Sequence, residues 1–240
     1  MQSTLCFDFG NTRLKCAVFI DGAIQSVETL PNDSVETIQQ VLQKYQPQST
    51  ILSSVIHHNP EIETLLSVST KFHKLNHQSK LPITTPVGKP ETIGADRLAL
   101  CSAAVHLFPH QHSLSIGLGT CITYNFTNKY HQFLGGSISP GMHMRFKAMH
   151  EQTALLPIVP AEHHFPLIGY DTKTNLQSGV LLGIAKEIDG IIDAYKEKYD
   201  NINVLLTGGD MGFFVPHLKN KIFADPYLIY TGLYAISTIN

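Results

Sequence analysis

The 240-residue sequence lacks the features that mark several large classes of protein. No segment approaches the roughly 18 apolar residues needed to cross a bilayer, and no basic stretch leads into an apolar run at the N-terminus. Charged residues make up only 15% and the net charge is −2, so the broad basic field that general nucleic-acid binding requires is missing. These absences predict a soluble, cytoplasmic protein that binds neither membrane nor nucleic acid.

The four cysteines form no CxxC pair and no metal-binding spacing. Cys6, Cys16, Cys101 and Cys121 all lie in apolar stretches, so we expect buried, reduced thiols. The 13 histidines are mostly scattered, and none forms the HExxH arrangement that places two imidazoles on one helix face. We expect solvated surface histidines rather than metal ligands.

Two familiar phosphate-binding motifs are missing as well, the GxxxxGK[ST] loop and a strand-coupled GxGxxG. What the sequence has instead is a strand that runs into Asp8–Thr12 and a related phrase at Gly117–Thr120. Such a turn offers a carboxylate at the strand end, glycines that let the backbone approach a ligand, and a threonine hydroxyl. Turns of this kind suit a polyphosphate and its metal ion. We therefore predict a phosphotransferase in which the two turns face each other across a nucleotide cleft.

The strand pattern around these turns occurs twice. Predicted strands Leu5–Phe9, Leu14–Ile20 and Ala23–Leu30 have counterparts that restart at Ser113, and both halves continue with alternating helix and strand. This pattern predicts two α/β domains of similar plan, residues 1–110 and 111–240. A single irregular α/β domain is the alternative.

Helical periodicity adds three segments that are important for the site. It predicts a helix after Ser34, another over Ala95–Leu107 and a long one over Asn175–Tyr199. In the long helix, Gly179 and Gly183 lie four residues apart, a spacing that permits close packing of another backbone.

Six ordered segments resemble the type III pantothenate kinases, members of the acetate-and-sugar-kinase/Hsp70/actin superfamily. In chain order they are DFGNTRLK, PETIGADRLAL, GLGTCIT, GGSISPGMHMRFKAMHEQTALLP, IGYDTKTNLQSGVLLG and LLTGGD. The resemblance covers nearly the whole chain and implies two ribonuclease-H-like domains, the actin-like ATPase duplication, with a nucleotide cleft between them. It also implies a cytoplasmic homodimer that uses ATP to phosphorylate pantothenate to 4′-phosphopantothenate, the first step of coenzyme A biosynthesis.

The resemblance implies a role for each matched residue. Asp8 would orient magnesium through water, Asp96 would be the general base for the pantothenate hydroxyl, and Thr172 would reach pantothenate in the neighbouring subunit. The implied ATP-binding residues are Asp8, Phe9, Gly10, Asn11, Thr12, Arg13, Leu14, Lys15 and Thr120. The implied pantothenate-binding residues are Val87, Gly94, Ala95, Asp96, Arg97 and Thr172.

Elementary chemistry agrees with these roles. In phosphoryl transfer the protein mainly positions groups and neutralises charge, while one carboxylate orients the attacking hydroxyl. Arg97 beside Asp96 would keep that carboxylate ionised. Without the family, the same pair is interpreted as a capping acid and a surface ion pair at a helix start.

Two positions depart from the family pattern. The family usually has an aspartate at position 117 that ligates a monovalent cation, K⁺ or NH₄⁺, whereas Gly117 has no side chain; the cation requirement therefore stays open. It usually has a tyrosine where Val87 stands, so a hydrogen bond worth about 0.5–1.5 kcal/mol would be lost. Two alternatives follow: a weakened paralogue acting as a nucleotide-binding regulatory protein, and a kinase for a different small hydroxylated substrate.

Overall fold

The computed structural model describes residues 2–240, which form ten strands and eight α-helices. The strands are β1 (Ser3–Phe9), β2 (Leu14–Ile20), β3 (Ala23–Leu30), β4 (Ser49–Ser54), β5 (Lys71–Lys74), β6 (Ser113–Leu118), β7 (Cys121–Thr127), β8 (Phe133–Pro140), β9 (Asn203–Thr207) and β10 (Phe223–Ala224). The helices are α1 (Val35–Tyr45), α2 (Glu61–Ser69), α3 (Ala95–Leu107), α4 (Met142–Glu151), α5 (Thr172–Gln177), α6 (Gly183–Lys198), α7 (Met211–Phe214) and α8 (Leu228–Ser237).

Backbone contacts divide the chain into two compact units. The first contains the chain up to Pro109, His131–Leu134 and Tyr227–Asn240, and the second contains His110–Tyr130 and Gly135–Pro226. The domain boundaries that we predicted, 1–110 and 111–240, stay a prediction, although the contacts group the C-terminal segment with the first unit.

The two units contain five-stranded sheets with the same strand order. The first sheet runs β3-β2-β1-β4-β5 and the second β8-β7-β6-β9-β10. In each, the first strand is central, antiparallel to the next strand and parallel to the fourth strand of its unit. This repeated topology confirms the predicted fold, two similar α/β domains, and the single irregular domain is wrong.

The first unit has helices on both faces of its sheet. Along β1, Leu5, Phe7 and Phe9 join a core with α1 and α2, whereas Cys6 joins a core with α3 and α8. Because successive side chains of a strand point to opposite faces, the even-numbered residues of β1 face α3 and α8. Thr4 and Cys6 on that face are buried as well, so β1 is covered on both faces.

The second unit contains one large apolar core. Leu114, Ile116 and Leu118 of β6 contribute to it together with α4 and α6. The alternate residues Ser113 and Ser115 are also buried but are polar. The central strand of this unit is therefore apolar on one face only.

The predicted long helix differs from the structure at its start and in its middle. Asp171 accepts a hydrogen bond from the backbone N–H of Thr174 (2.7 Å), so the helix begins at Thr172 rather than Asn175. A π-helical turn, Ser178–Leu182, then separates α5 from α6. The close packing predicted at Gly179 and Gly183 is wrong within this chain, since a Cβ added at either glycine would meet nothing within 4 Å.

The burial of the cysteines and histidines agrees only in part with the predictions from the sequence. Cys6, Cys16 and Cys101 are buried free thiols, as predicted, but the prediction of burial is wrong for Cys121, which is partly exposed in the first residue of β7. The surface prediction is wrong for His58, whose side chain is 6% exposed and bonds Ser54 and Glu63. Within residues 2–240, no helix combines the length and apolar character needed to span a membrane.

Candidate active site

Asp8 lies at the C-terminal end of the central strand of the first unit. As an even-numbered residue of β1, it faces the layer that contains α3 and α8. Lys15 of β2 is directly across the antiparallel pair from it. Burial and, to a smaller extent, the nearby charge of Asp96 raise the pKa of the Asp8 carboxyl to about 7, and the charge of Lys15 opposes both.

Asp96 lies in the first turn of α3, two residues after the N-cap Gly94. Burial raises the pKa of its carboxyl above the ordinary value, while the backbone N–H and the charge of Arg97 oppose that shift. A carboxylate in the first turn of a helix is also stabilised by the helix dipole. The result is a partly buried acid that stays close to donors able to hold its ionised form.

The fold thus brings together two carboxylates that are 88 positions apart in the sequence. Each is withdrawn from water, and the charge on Asp96 disfavours the charge on Asp8. A divalent cation with its water ligands would relieve this repulsion, and carboxylate oxygens are the donors that Mg²⁺ prefers. The residues present therefore fit a magnesium ion beside Asp8, and Asp8 is the residue that would hold it.

The turn after Asp8 has a tight backbone. The N–H of Gly10 donates to the carbonyl of Arg13 (3.1 Å), and Asn11 and Thr12 are exposed at its tip. Phe9 is buried in the core and fixes one end of the turn. The predicted contacts of Phe9–Lys15 with ATP phosphates stay a prediction. The turn follows directly after Asp8 at the end of β1.

The predicted pantothenate residues of the first unit surround the start of α3. Arg97 places its guanidinium 5.4 Å from the ring centre of Phe133, a cation–π arrangement. Val87 is partly buried in the preceding loop, and the side chain of Ala95 belongs to the core, which leaves its backbone as the available contact. Their roles remain predictions.

The segment that contains Phe133 also holds this loop in place. The N–H of Thr84 donates to the carbonyl of His131 (2.9 Å), and the N–H of Phe133 donates to the carbonyl of Thr84 (2.8 Å). The loop leading to Val87 is therefore attached to the first unit by backbone hydrogen bonds.

In the second unit, Gly117 occupies the position equivalent to Asp8. Asp8 is followed by the buried Phe9 and then a glycine, and Gly117 by the buried Leu118 and then Gly119. Strand register places Gly117 opposite Thr123 and Thr207, which carry neutral hydroxyls. A carboxylate is thus present at the strand end of the first unit and missing at the same position of the second.

Thr120 and Thr172, the other predicted site residues of the second unit, lie in different surroundings. Thr120 is exposed in the turn between β6 and β7. Thr172 starts α5 and lines a cavity of about 310 Å³ together with Met149, Leu156 and Leu176. Their contacts with ATP and pantothenate stay predictions.

Tyr230 is a buried neighbour of the candidate site that sequence reasoning missed. It is 2% exposed on α8, and its pKa is raised by burial and by the charge of Asp8. The sequence signal for α8 is only an apolar stretch near the C-terminus. Nothing in that stretch says that the helix packs with β1 and α3 in the first unit.

Replacing Gly94 with alanine is expected to lower kcat by about tenfold or more. A Cβ at this position would lie 2.5 Å from Oδ1 of Asp96, so the carboxylate would have to rotate away, and small misplacements of a reacting group are costly. The φ of −59° suits alanine, so the fold should be retained. Gly190→Ala, at a glycine with open space around it, is the matched control; equal kcat in both variants would contradict the argument.

Comparison with known proteins gives this site a family. A family model described as type III pantothenate kinase matches residues 4–194. A protein named type III pantothenate kinase from Cytophaga hutchinsonii is 41% identical over 98% of this chain and 99% of its own length. One of the same name from Bacteroides fragilis (strain YCH46) is 40% identical over 98% of both chains.

Among solved structures, a conserved putative Baf family transcriptional activator from Campylobacter jejuni shares the fold. Its TM-score is 0.64 at 22% identity, with 98% of each chain covered. This structural likeness bears on the fold alone, whereas the family follows from the sequence matches. The chain belongs to the type III pantothenate kinase family.

Proposed function

We propose that this chain transfers the γ-phosphoryl group of ATP to the primary hydroxyl of pantothenate, which yields 4′-phosphopantothenate and ADP. This is the first step of coenzyme A biosynthesis. The observation that carries the proposal is the match to this family over nearly the whole chain. The burial of Asp8 and Asp96, whose charges interact, supports it.

In the proposed reaction, Asp96 accepts the proton of the pantothenate hydroxyl as its oxygen attacks the γ-phosphorus. The bond between that phosphorus and the bridging oxygen of ADP breaks, and ADP leaves. Asp96 acts in its ionised form, which the adjacent N–H and charge of Arg97 favour. Arg97 itself offers a donor to the pantothenate carboxylate.

Charge neutralisation falls to the neighbouring residues. Magnesium, when bound beside Asp8, would neutralise the phosphate oxygens, which is its usual contribution to phosphoryl transfer. In this proposal Asp8 and the Gly10–Lys15 turn hold the phosphates, and Thr120 also contacts ATP. Val87 gives pantothenate an apolar contact in place of a hydroxyl.

A coupled assay for ADP release, run with and without pantothenate, tests this function. We expect ADP release that depends on pantothenate. Nucleotide binding without turnover would instead favour a regulatory paralogue, and turnover with another alcohol in a substrate panel would favour a different acceptor.

We also propose that turnover does not depend on K⁺ or NH₄⁺. The family's aspartate ligand is replaced by Gly117, whose strand neighbours Thr123 and Thr207 bear no charge. Position 117 and these two strand neighbours therefore supply no carboxylate ligand for the family's cation. Rates with K⁺, NH₄⁺ and Na⁺ at equal ionic strength should agree within about twofold, and strong stimulation by K⁺ would refute the proposal.

The family resemblance further motivates a homodimer that works in the cytoplasm. Thr172 would contact pantothenate in the partner subunit, and its position at an open cavity of the second unit leaves it accessible. Sedimentation equilibrium at micromolar concentration gives the oligomeric state directly.

A further inference from the structure

Arg145 on α4 makes an unusual set of contacts for a surface helix residue. Its Nε donates to the carbonyl of Pro140 (2.8 Å), and its Nη2 donates to the hydroxyl of Ser139 (2.8 Å) and to Glu187 on α6. The side chains of Arg145 and Glu187 are only 22% and 23% exposed. A planar guanidinium presents its five donors in a fixed arrangement, whereas an ammonium group has three donors on a flexible stem.

Glu187 is in turn bound by a residue of the core. The hydroxyl of Tyr124, a fully buried residue of β7, donates to Oε1 of Glu187 (3.0 Å). Glu187 therefore uses one oxygen for Tyr124 and the other for Arg145. Hydrogen bonds to charged groups in such partly buried places are stronger than those between neutral groups.

The Pro140–Gly141 backbone that Arg145 holds lies directly against the β6–β7 turn. The N–H of Gly141 donates to the carbonyl of Thr120 (3.0 Å). A Cβ at Gly141 would lie 2.1 Å from the carbonyl oxygen of Gly119 and 2.6 Å from that of Thr120, so only glycine permits this approach. A displacement of Pro140–Gly141 would therefore move the turn.

We infer that Arg145 is a positioning residue for nucleotide binding, acting through Pro140 and Gly141 on the Thr120 turn with Glu187 as its anchor. The inference rests on the proposed function, in which Thr120 contacts ATP. Arg145 touches no substrate in this scheme. Its effect should therefore appear in the affinity for ATP and not in that for pantothenate. None of Ser139, Pro140, Arg145 and Glu187 lines the cavity at Thr172, and the other predicted pantothenate residues belong to the first unit.

The test compares Arg145→Met with Glu151→Gln, which breaks an exposed ion pair with Lys147 on the same helix. We expect Arg145→Met to raise the KM for ATP about tenfold or more, with the KM for pantothenate within twofold and Glu151→Gln at wild-type values. An unchanged KM for ATP, or equal rises in both KM values, would overturn the inference.

Arg145→Lys separates positioning from folding. Lysine keeps a positive charge beside Glu187 but lacks the planar guanidinium that binds Ser139 and Pro140. The variant should therefore fold and still show the raised KM for ATP. Wild-type affinity for ATP in Arg145→Lys would overturn the positioning role of the guanidinium.

Direct binding of a fluorescent ATP analogue distinguishes the two proposals. A wild-type protein that binds the analogue without turnover would refute the proposed function, while weaker binding by Arg145→Met would still support the positioning role. Equal binding by wild type and Arg145→Met would overturn the positioning role and leave the function untouched.

Discussion

Replacing Asp96 with asparagine is expected to lower kcat by about 10²–10⁴-fold, the usual contribution of general base catalysis. The amide keeps the size and hydrogen-bonding reach of the carboxylate but cannot accept the proton of the pantothenate hydroxyl. Because the proposed contacts of Gly94 and Arg97 are unchanged, the KM for pantothenate should change much less than kcat. Steady-state kinetics at saturating ATP measure both.

The matched control for this variant is Glu91→Gln, an acid-to-amide change at an exposed residue in the short 3₁₀ helix Pro90–Thr92 before α3. It should leave kcat within twofold of wild type. Thermal unfolding establishes that both variants are folded. Near-normal turnover by a folded Asp96→Asn protein would rule out Asp96 as the base.

Replacing Asp8 with asparagine is expected to abolish turnover and, in the absence of ligands, to stabilise the fold. The pKa of Asp8 is about 7 in the folded chain, against 3.8 for the free residue. Folding therefore favours the protonated acid, and the cost of keeping it ionised grows as the pH rises from about 4 to 7 and is constant above. At pH 8 the asparagine variant should gain on the order of 2–4 kcal/mol in free energy of unfolding.

Denaturant unfolding at pH 5 and pH 8, without magnesium or nucleotide, measures this effect. The advantage of Asp8→Asn should be small at pH 5 and larger at pH 8. Asp200→Asn, at an exposed aspartate, should show no such trend. A stability difference that does not depend on pH would contradict the burial of an ionised carboxylate at position 8.

The raised pKa of the Asp8 carboxyl also predicts how the rate falls at low pH. Magnesium requires the ionised carboxylate, so kcat/KM for ATP should fall about tenfold per pH unit below pH 7. The profile of kcat, measured with MgATP bound, should bend at a lower pH because the cation favours the ionised form. If the profiles of kcat/KM for ATP and of kcat bend at the same pH, Asp8 is not the carboxylate that binds magnesium.

Local chemistry made the strands and turns predictable from the sequence. Asp8–Thr12 combines a buried apolar strand with turn formers, and the predicted bounds of β2, β3 and α3 agree with the structure. The repeat of this pattern at Gly117–Thr120 was enough to predict two similar domains.

Contacts between distant segments were not predictable in the same way. The period of two along β1 assigns Asp8 to a face of the sheet, but it does not say which helix covers that face. The charge of Asp8 acts on Tyr230 near the far end of the chain, and Glu187 binds Arg145 across 42 positions. The π-helical turn was also not predicted, because the residue preferences of its sequence do not distinguish it from an ordinary α-helix.

The docking of α8 has a consequence for how the protein is made. Tyr227–Asn240 belongs to the same compact unit as β1 and α3, and domains generally fold as units while the ribosome synthesises the chain. The N-terminal half therefore cannot complete its core when its own strands emerge, and it must wait for a helix translated after the entire second unit. A nascent chain stalled before residue 227 should expose to chaperones the apolar residues of α3 that pack with α8.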